Sequence, residues 1–270
     1  MVTIVGELFF VTVTEPVIHP LVENILATRR TKLPDGSDVS ADSFIPRDEC
    51  VLLYEMIAMC RATRAVEVGM AYGVSTLCIA DAIHRNAQGE GTAARLVSID
   101  SHQSISFRGA GAHLIARAGY SSLLALIEET SQAALPRLVA AGERFQFGFI
   151  DGWHTFDHAL VDFFFIDLLL EAGGIVVFDD VGYPAINALV RFVLANRDYE
   201  LVKTNQYLDP RPLGLRIRVG VKRMLRRLAR TDRDPSEANT RLFRTIELAH
   251  AVALRKRGGD RRPFDHFERF

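Results

Sequence analysis

The pattern of apolar and polar positions becomes regular at Ile45. Residues 47–62, RDECVLLYEMIAMCRA, carry apolar side chains at helical spacing and predict a helix. Beyond it, short apolar runs alternate with helical stretches. Strands are predicted at 64–68, 95–100, 123–128, 145–151, 175–179, 199–204 and 213–223. Helices are predicted at 74–86, within 103–119, and at 132–142, 156–172 and 186–196. Alternation of this kind builds βαβ units, so the expected fold is α/β, with a seven-stranded, mostly parallel sheet and helices on both faces. The last two strands, joined by a short Pro-rich loop, are expected as an antiparallel hairpin at one edge.

The ends of the chain are less regular. Residues 1–44 read as an N-terminal extension: an apolar segment at 7–18, strand or irregular, then a polar loop at 28–43 with Pro34-Asp35-Gly36 as turn chemistry. Residues 45–223 form the expected main domain. Residues 224–270 form a basic tail with one amphipathic helix at 238–257, whose Leu242, Ile246, Ala249 and Ala253 share a face. That face is expected to pack on the domain or on a second subunit. Nucleic-acid contact by Arg226, Arg227 and Arg230 is only weakly signalled. The greasy stretch 159–174 is too short to span a bilayer and carries Asp162, Asp167 and Glu171. A buried helix closed by Gly173 and Gly174 is expected there.

Composition narrows the function classes. The chain has 270 residues, with 32 Lys and Arg against 33 Asp and Glu, a formal net charge of −1. No global charge points to nucleic acid or a membrane surface. Cys50, Cys60 and Cys78 have neither the number nor the spacing of a disulfide framework or a zinc knuckle, so a reducing cytoplasm is the default. The N-terminus lacks the basic start of a signal peptide.

Chemistry concentrates at the predicted strand ends. FQFGFIDGWH (145–154) stops at Asp151, and GGIVVFDDV (173–181) stops at Asp179 and Asp180. Ligands of open α/β sheets bind outside those ends. Three carboxylates meeting there repel one another unless a cation binds between them, and a hard divalent ion is the first choice. AVEVGMAYGVSTL (65–77) sets Gly69 and Gly73 between a strand and a helix, where backbone amides approach a ligand closely. The spacing is not GxGxxG, and Glu67 lies two residues before the first glycine, which disfavours a pyrophosphate and a nicotinamide dehydrogenase. Asp100, ending the next strand, is placed to accept ribose hydroxyls. A nucleoside with a positive tail is implied.

These residues resemble class I S-adenosylmethionine-dependent methyltransferases, and within them the metal-dependent O-methyltransferases of the catechol and macrocin types. E-x-G-x-x-x-G-x-S matches Glu67, Gly69, Gly73 and Ser75. The acidic end of the second strand matches Asp100, followed by Ser101. A Ser-Gln pair before a helix matches Ser131 and Gln132. D-x-W-[KH] matches Asp151, Trp153 and His154, and a paired acidic strand end matches Asp179 and Asp180, with Pro184 following. The resemblance covers roughly residues 45–222. It implies S-adenosylmethionine as cofactor, a Rossmann-like sheet with a reversed last strand, and Mg2+ held by Asp151, Asp179 and Asp180. It places Gly69 and Ser75 by the methionine part of the cofactor and Ser131 and Gln132 near its adenine. Trp153 is either ordinary core or a stacking surface for that adenine, and Tyr72 faces either the cofactor or a helix.

In this scheme the metal holds an acceptor hydroxyl and His154 takes its proton, beside Asp151. A histidine in that position points to the macrocin-like branch, and so to a small-molecule acceptor such as a sugar or other natural-product hydroxyl. His158, at i+4, opens a His–His metal pair, but no third nitrogen or sulfur ligand is in view. Two alternatives stand beside this reading: a metal-independent methyltransferase, and a non-catalytic cofactor-binding subunit of a biosynthetic complex. No nucleic-acid or membrane partner is expected. A homodimer or larger homo-oligomer is what the resemblance implies.

Overall fold

The structure, a computed structural model, describes residues 15–206, 243, 245–246 and 249–270. Seven strands form one sheet: β3 (Arg64–Val68), β4 (Arg95–Ile99), β5 (Leu124–Ile127), β6 (Phe145–Ile150), β7 (Leu170–Phe178), β8 (Tyr199–Gln206) and β9 (Ala249–Lys256). Their order is β5-β4-β3-β6-β7-β9-β8. The first five pair in parallel, and β9 runs antiparallel to both β7 and β8.

Period-two alternation explains the layering. Ile175, Val177, Ala251 and Ala253 face one core, while Val176, Phe178, Val252 and Leu254 face the other. The first core is covered by α1 (Pro20–Thr28), α2 (Arg47–Met59), α3 (Val74–Glu90) and α4 (Ala110–Arg117). The second is covered by α5 (Ser131–Ala140), α6 (Phe156–Leu169) and α7 (Pro184–Asn196). The doubly wound α/β architecture expected from the sequence is therefore present, with its reversed strand.

Three local expectations are corrected. Residues 249–256, expected as the second half of an amphipathic helix, form β9, which lies beyond the 223 boundary and inside the sheet. Burial on both faces overrides the helical spacing of its alanines, whose small size suits a strand under α2. The expected partner strand at 213–223, most of the apolar segment at 7–18 and the three arginines after Met224 lie outside the described residues. The helix expected to run to 172 stops at Leu169, and β7 begins at once. A Cβ on Gly174 would come within 2.9 Å of the Gln146 carbonyl oxygen, so glycine lets β7 pass close to β6 where their register shifts. The expected loop at 28–43 contains a small hairpin, β1 (Arg30–Lys32) and β2 (Asp38–Ser40), around the Pro34–Gly36 turn. No helix among the described residues is long and apolar enough to cross a membrane.

Candidate active site

The strand order reverses between β3 and β6, and the predicted site residues collect at the carboxyl ends of these strands and their neighbours. Backbone bonds hold this rim level: Gly69 N–H donates to the Ile99 carbonyl at 3.0 Å, Asp151 N–H to Val68 at 2.9 Å, and Asp179 N–H to Ile150 at 3.1 Å. Gly69 has φ +93°, and a Cβ there would stand 1.9 Å from the Asp151 carbonyl oxygen. The glycine turn and the β6 loop thus touch through bare backbone.

Asp100 braces that turn. Its Oδ2 accepts from the backbone N–H of Met70 at 3.1 Å and of Ala71 at 2.8 Å, and from Gln103 Nε2 at 3.0 Å. Its Oδ1 accepts from His102 N–H at 2.8 Å and keeps acceptor capacity for a hydroxyl. Gln103, which the sequence reading missed, is fully buried and also donates to the Ala71 carbonyl at 2.7 Å. Glu67 lies behind the turn rather than in the groove. It is wholly buried, and its oxygens accept from Ser75 at 2.7 Å, Thr76 at 2.7 Å and Ser98 at 2.6 Å. Burial pushes its carboxyl up to about 7. Ser75 shares this interior position. Gly73 is buried where a Cβ would come within 2.9 Å of Gly111 Cα. Tyr72 is half-buried, edge-on to Phe107.

Ser101, Ser131 and Gln132 are half-buried, the last two in the first turn of α5. Asp162 of α6, beside Ser131, is a buried carboxyl that burial pushes up to about 6 and whose Oδ1 has no hydrogen-bond partner. The sequence marks Asp162 only as a polar position on a buried helix. Trp153 is 64% exposed, which excludes the ordinary-core reading of that side chain.

The three strand-end aspartates are neighbours, but their oxygens divide between two groups. Asp151 and Asp180 converge with His154, and Asp179 converges with Glu49 of α2 and His250 of β9. His154 Nε2 lies 3.5 Å from Asp151 Oδ1 and 3.2 Å from Asp180 Oδ2, and its ring stacks on Tyr183 at 5.1 Å. His250 Nδ1 lies 2.9 Å from Glu49 Oε2 and 3.1 Å from Asp179 Oδ1. Asp180 sits at φ +52°, a left-handed conformation that aspartate tolerates better than most side chains. His158 belongs to neither group and faces Thr155 Oγ1 at 2.8 Å.

The electrostatics of this rim call for positive charge. Burial and then the nearby Asp179, Asp180 and Glu67 push the Asp151 carboxyl well above its usual range. Burial and Asp179 raise Glu49, and hydrogen bonds to Asp179 and Glu49 raise His250 to about 11. Carboxylate oxygens from Asp151, Asp179 and Asp180 are the donor chemistry a hard divalent cation takes, so these residues fit one. Glu49 and His250 escaped the sequence reading for different reasons. Glu49 sits on the same helical face as Leu52, Leu53 and Met56, a detectable anomaly, whereas His250 lay in a stretch read as helix.

Residues 66–181 match the family model described as a methyltransferase domain. No curated protein matches the chain. Among solved structures, cofactor-bound Rv0187 from MTB is similar over 61% of this chain and 76% of its own, at 16% identity and a TM-score of 0.52. The O-methyltransferase from Bacillus cereus in complex with SAH is similar over 61% and 77%, at 16% identity and a TM-score of 0.50. At such identities the structural likeness is one of fold. The matched stretch, less than half of the chain, runs from within β3 to the residue after Asp180.

Proposed function

We propose that this protein is an S-adenosylmethionine-dependent O-methyltransferase that acts on a hydroxyl of a small natural product, with a divalent cation, Mg2+ by preference, at the carboxylate rim. The observation that carries this reading is the convergence of Asp151, Asp180 and His154 beside the Gly69 turn, at the switch point of the sheet.

The groove above Gly69, with Asp100, Ser131, Gln132 and Trp153 around it, would hold the cofactor, whose sulfonium supplies an electrophilic methyl. Asp151, Asp179 and Asp180 would hold the cation, which when bound fixes an acceptor oxygen and lowers the pKa of its hydroxyl. His154 Nε2 is buried, without a hydrogen-bond partner, and turned toward Asp151 and Asp180. As a neutral imidazole it accepts the hydroxyl proton, and the two carboxylates stabilise the imidazolium that results. Tyr183 keeps the ring in plane by stacking. Positioning then supplies much of the catalysis.

Calorimetric titration with S-adenosylmethionine and S-adenosylhomocysteine tests the cofactor, and a mass-spectrometric screen of hydroxylated metabolites for a gain of one methylene tests the transfer. Binding together with turnover that EDTA abolishes and Mg2+ restores is expected. No cofactor binding would refute the assignment. Turnover indifferent to EDTA would replace it with the metal-independent form, and binding without transfer to any acceptor with a non-catalytic subunit.

A further inference from the structure

Behind the rim, three donor atoms from three separate elements point at one another. Glu49 Oε2 comes from α2, Asp179 Oδ1 from the end of β7 and His250 Nδ1 from the start of β9. Nδ1 is 2.9 Å from the first and 3.1 Å from the second. Donors about 2.1 Å from a six-coordinate ion stand roughly 3 Å apart along each octahedral edge, and these separations match. We propose that Glu49, Asp179 and His250 form a second cation site, adjoining the one at Asp151 and Asp180 and taking a divalent transition ion such as Mn2+, Fe2+, Co2+ or Zn2+.

Three observations support it. Glu49 is wholly buried, and its second oxygen, Oε1, has no hydrogen-bond partner. A buried carboxylate with an idle oxygen is costly unless something positive lies against it. Next, Nδ1 carries at most one proton, yet two carboxylates face it. A proton serves one of them well, whereas an ion between the three atoms serves all. Finally, Glu49, Asp151, Asp179 and Asp180 bring four carboxyl groups to adjoining positions, oxygen donors enough for two ions side by side.

The surroundings suit a metal-ligating histidine. Its other nitrogen, Nε2, faces Asp180 Oδ1 at 3.6 Å, the side on which such imidazoles usually meet an orienting carboxylate. The Val181 N–H donates to the His250 carbonyl at 2.8 Å, which locks β9 against the aspartate pair. Mixed nitrogen and oxygen donors favour borderline transition ions over Mg2+, so the two positions would differ in preference. The His250 side chain is 23% exposed, and this leaves an entry route from the rim.

This inference deepens the proposed function, because Asp179 borders both positions. Its test is separate from turnover. The full chain is stripped with chelator, and bound Mn2+ is counted by equilibrium dialysis with electron paramagnetic resonance. Two equivalents are expected, falling to one in Glu49→Gln and in His250→Gln. In a His154→Gln background, pulsed resonance should still show a nitrogen nucleus coupled to Mn2+, and adding His250→Gln should remove it. One equivalent in the wild-type chain, or no coupled nitrogen in His154→Gln, would overturn the site in favour of a protonated imidazole bridging two carboxylates. Cofactor titration on the same samples reads the methyltransferase assignment independently, so either idea can fail alone.

Discussion

Gly69 is where the turn after β3 and the carboxylate rim touch, and no side chain fits there. Gly69→Ala forces a Cβ to within 1.9 Å of a backbone oxygen at a φ of +93°. We expect a loss of at least about 2 kcal/mol in stability and no measurable S-adenosylmethionine binding, read by urea denaturation and calorimetry. Glu67 makes a prediction of a different kind. Its carboxyl titrates near 7 in the folded chain and near 4.5 when unfolded. The folded state therefore holds the proton more tightly between those values, and stability from this group falls as pH rises from about 4.5 to 7, then levels off. The loss is on the order of 3 kcal/mol. The stability difference between wild type and Glu67→Gln, measured at pH 5 and pH 8, should shift by that order in favour of the variant at pH 8. An unchanged difference would place the Glu67 titration elsewhere. Both residues were visible in the sequence through their spacing, but spacing alone did not say that Glu67 turns inward to three hydroxyls.

At the level of elements, the far end of the sheet is fastened by buried charge. Asp167 of α6 is paired with Arg197 beyond α7, accepts from Tyr199 Oη of β8 at 2.6 Å, and lies 3.2 Å from Lys256 Nζ of β9. Lys256 also donates to the Leu170 carbonyl at 2.9 Å and to the Asp167 carbonyl at 2.5 Å. Removing one partner of such a set strands the others in a poorly hydrated place. Lys256→Met should cost about 3 kcal/mol by chemical denaturation while leaving cofactor affinity within twofold, since the site lies at the opposite end of β9. Strand ends carrying function were legible from the sequence because a buried parallel strand reads as an unbroken apolar run. β9 was not, because an alanine-rich segment satisfies both a helical face and a two-sided strand, and only the neighbours decide.

For the molecule as a whole, the described residues divide the work between a local half and a remote one. The stretch from β3 to β6 with its loops is contiguous in sequence, and the sequence places Gly69, Gly73, Asp100, Ser131 and Asp151 at the turns and strand ends where they are found. The acidic cluster behind the rim draws on α2 and on β9, far apart along the chain, and no local pattern announces a contact between Glu49 and His250. A chain ending at residue 223, the boundary that hydrophobic periodicity marks, lacks the strand between β7 and β8. It should fail to fold cooperatively, as judged by circular dichroism during thermal unfolding and by trypsin resistance, whereas the full chain should pass both. The same topology has a consequence for biosynthesis. β7 and β8 leave the ribosome with no strand yet made to bridge them, and their unpaired edges stay open to other nascent chains until translation reaches Ala249. His250 arrives with that strand, so no partly synthesised copy can set its imidazole between Glu49 and Asp179 before the sheet is sealed.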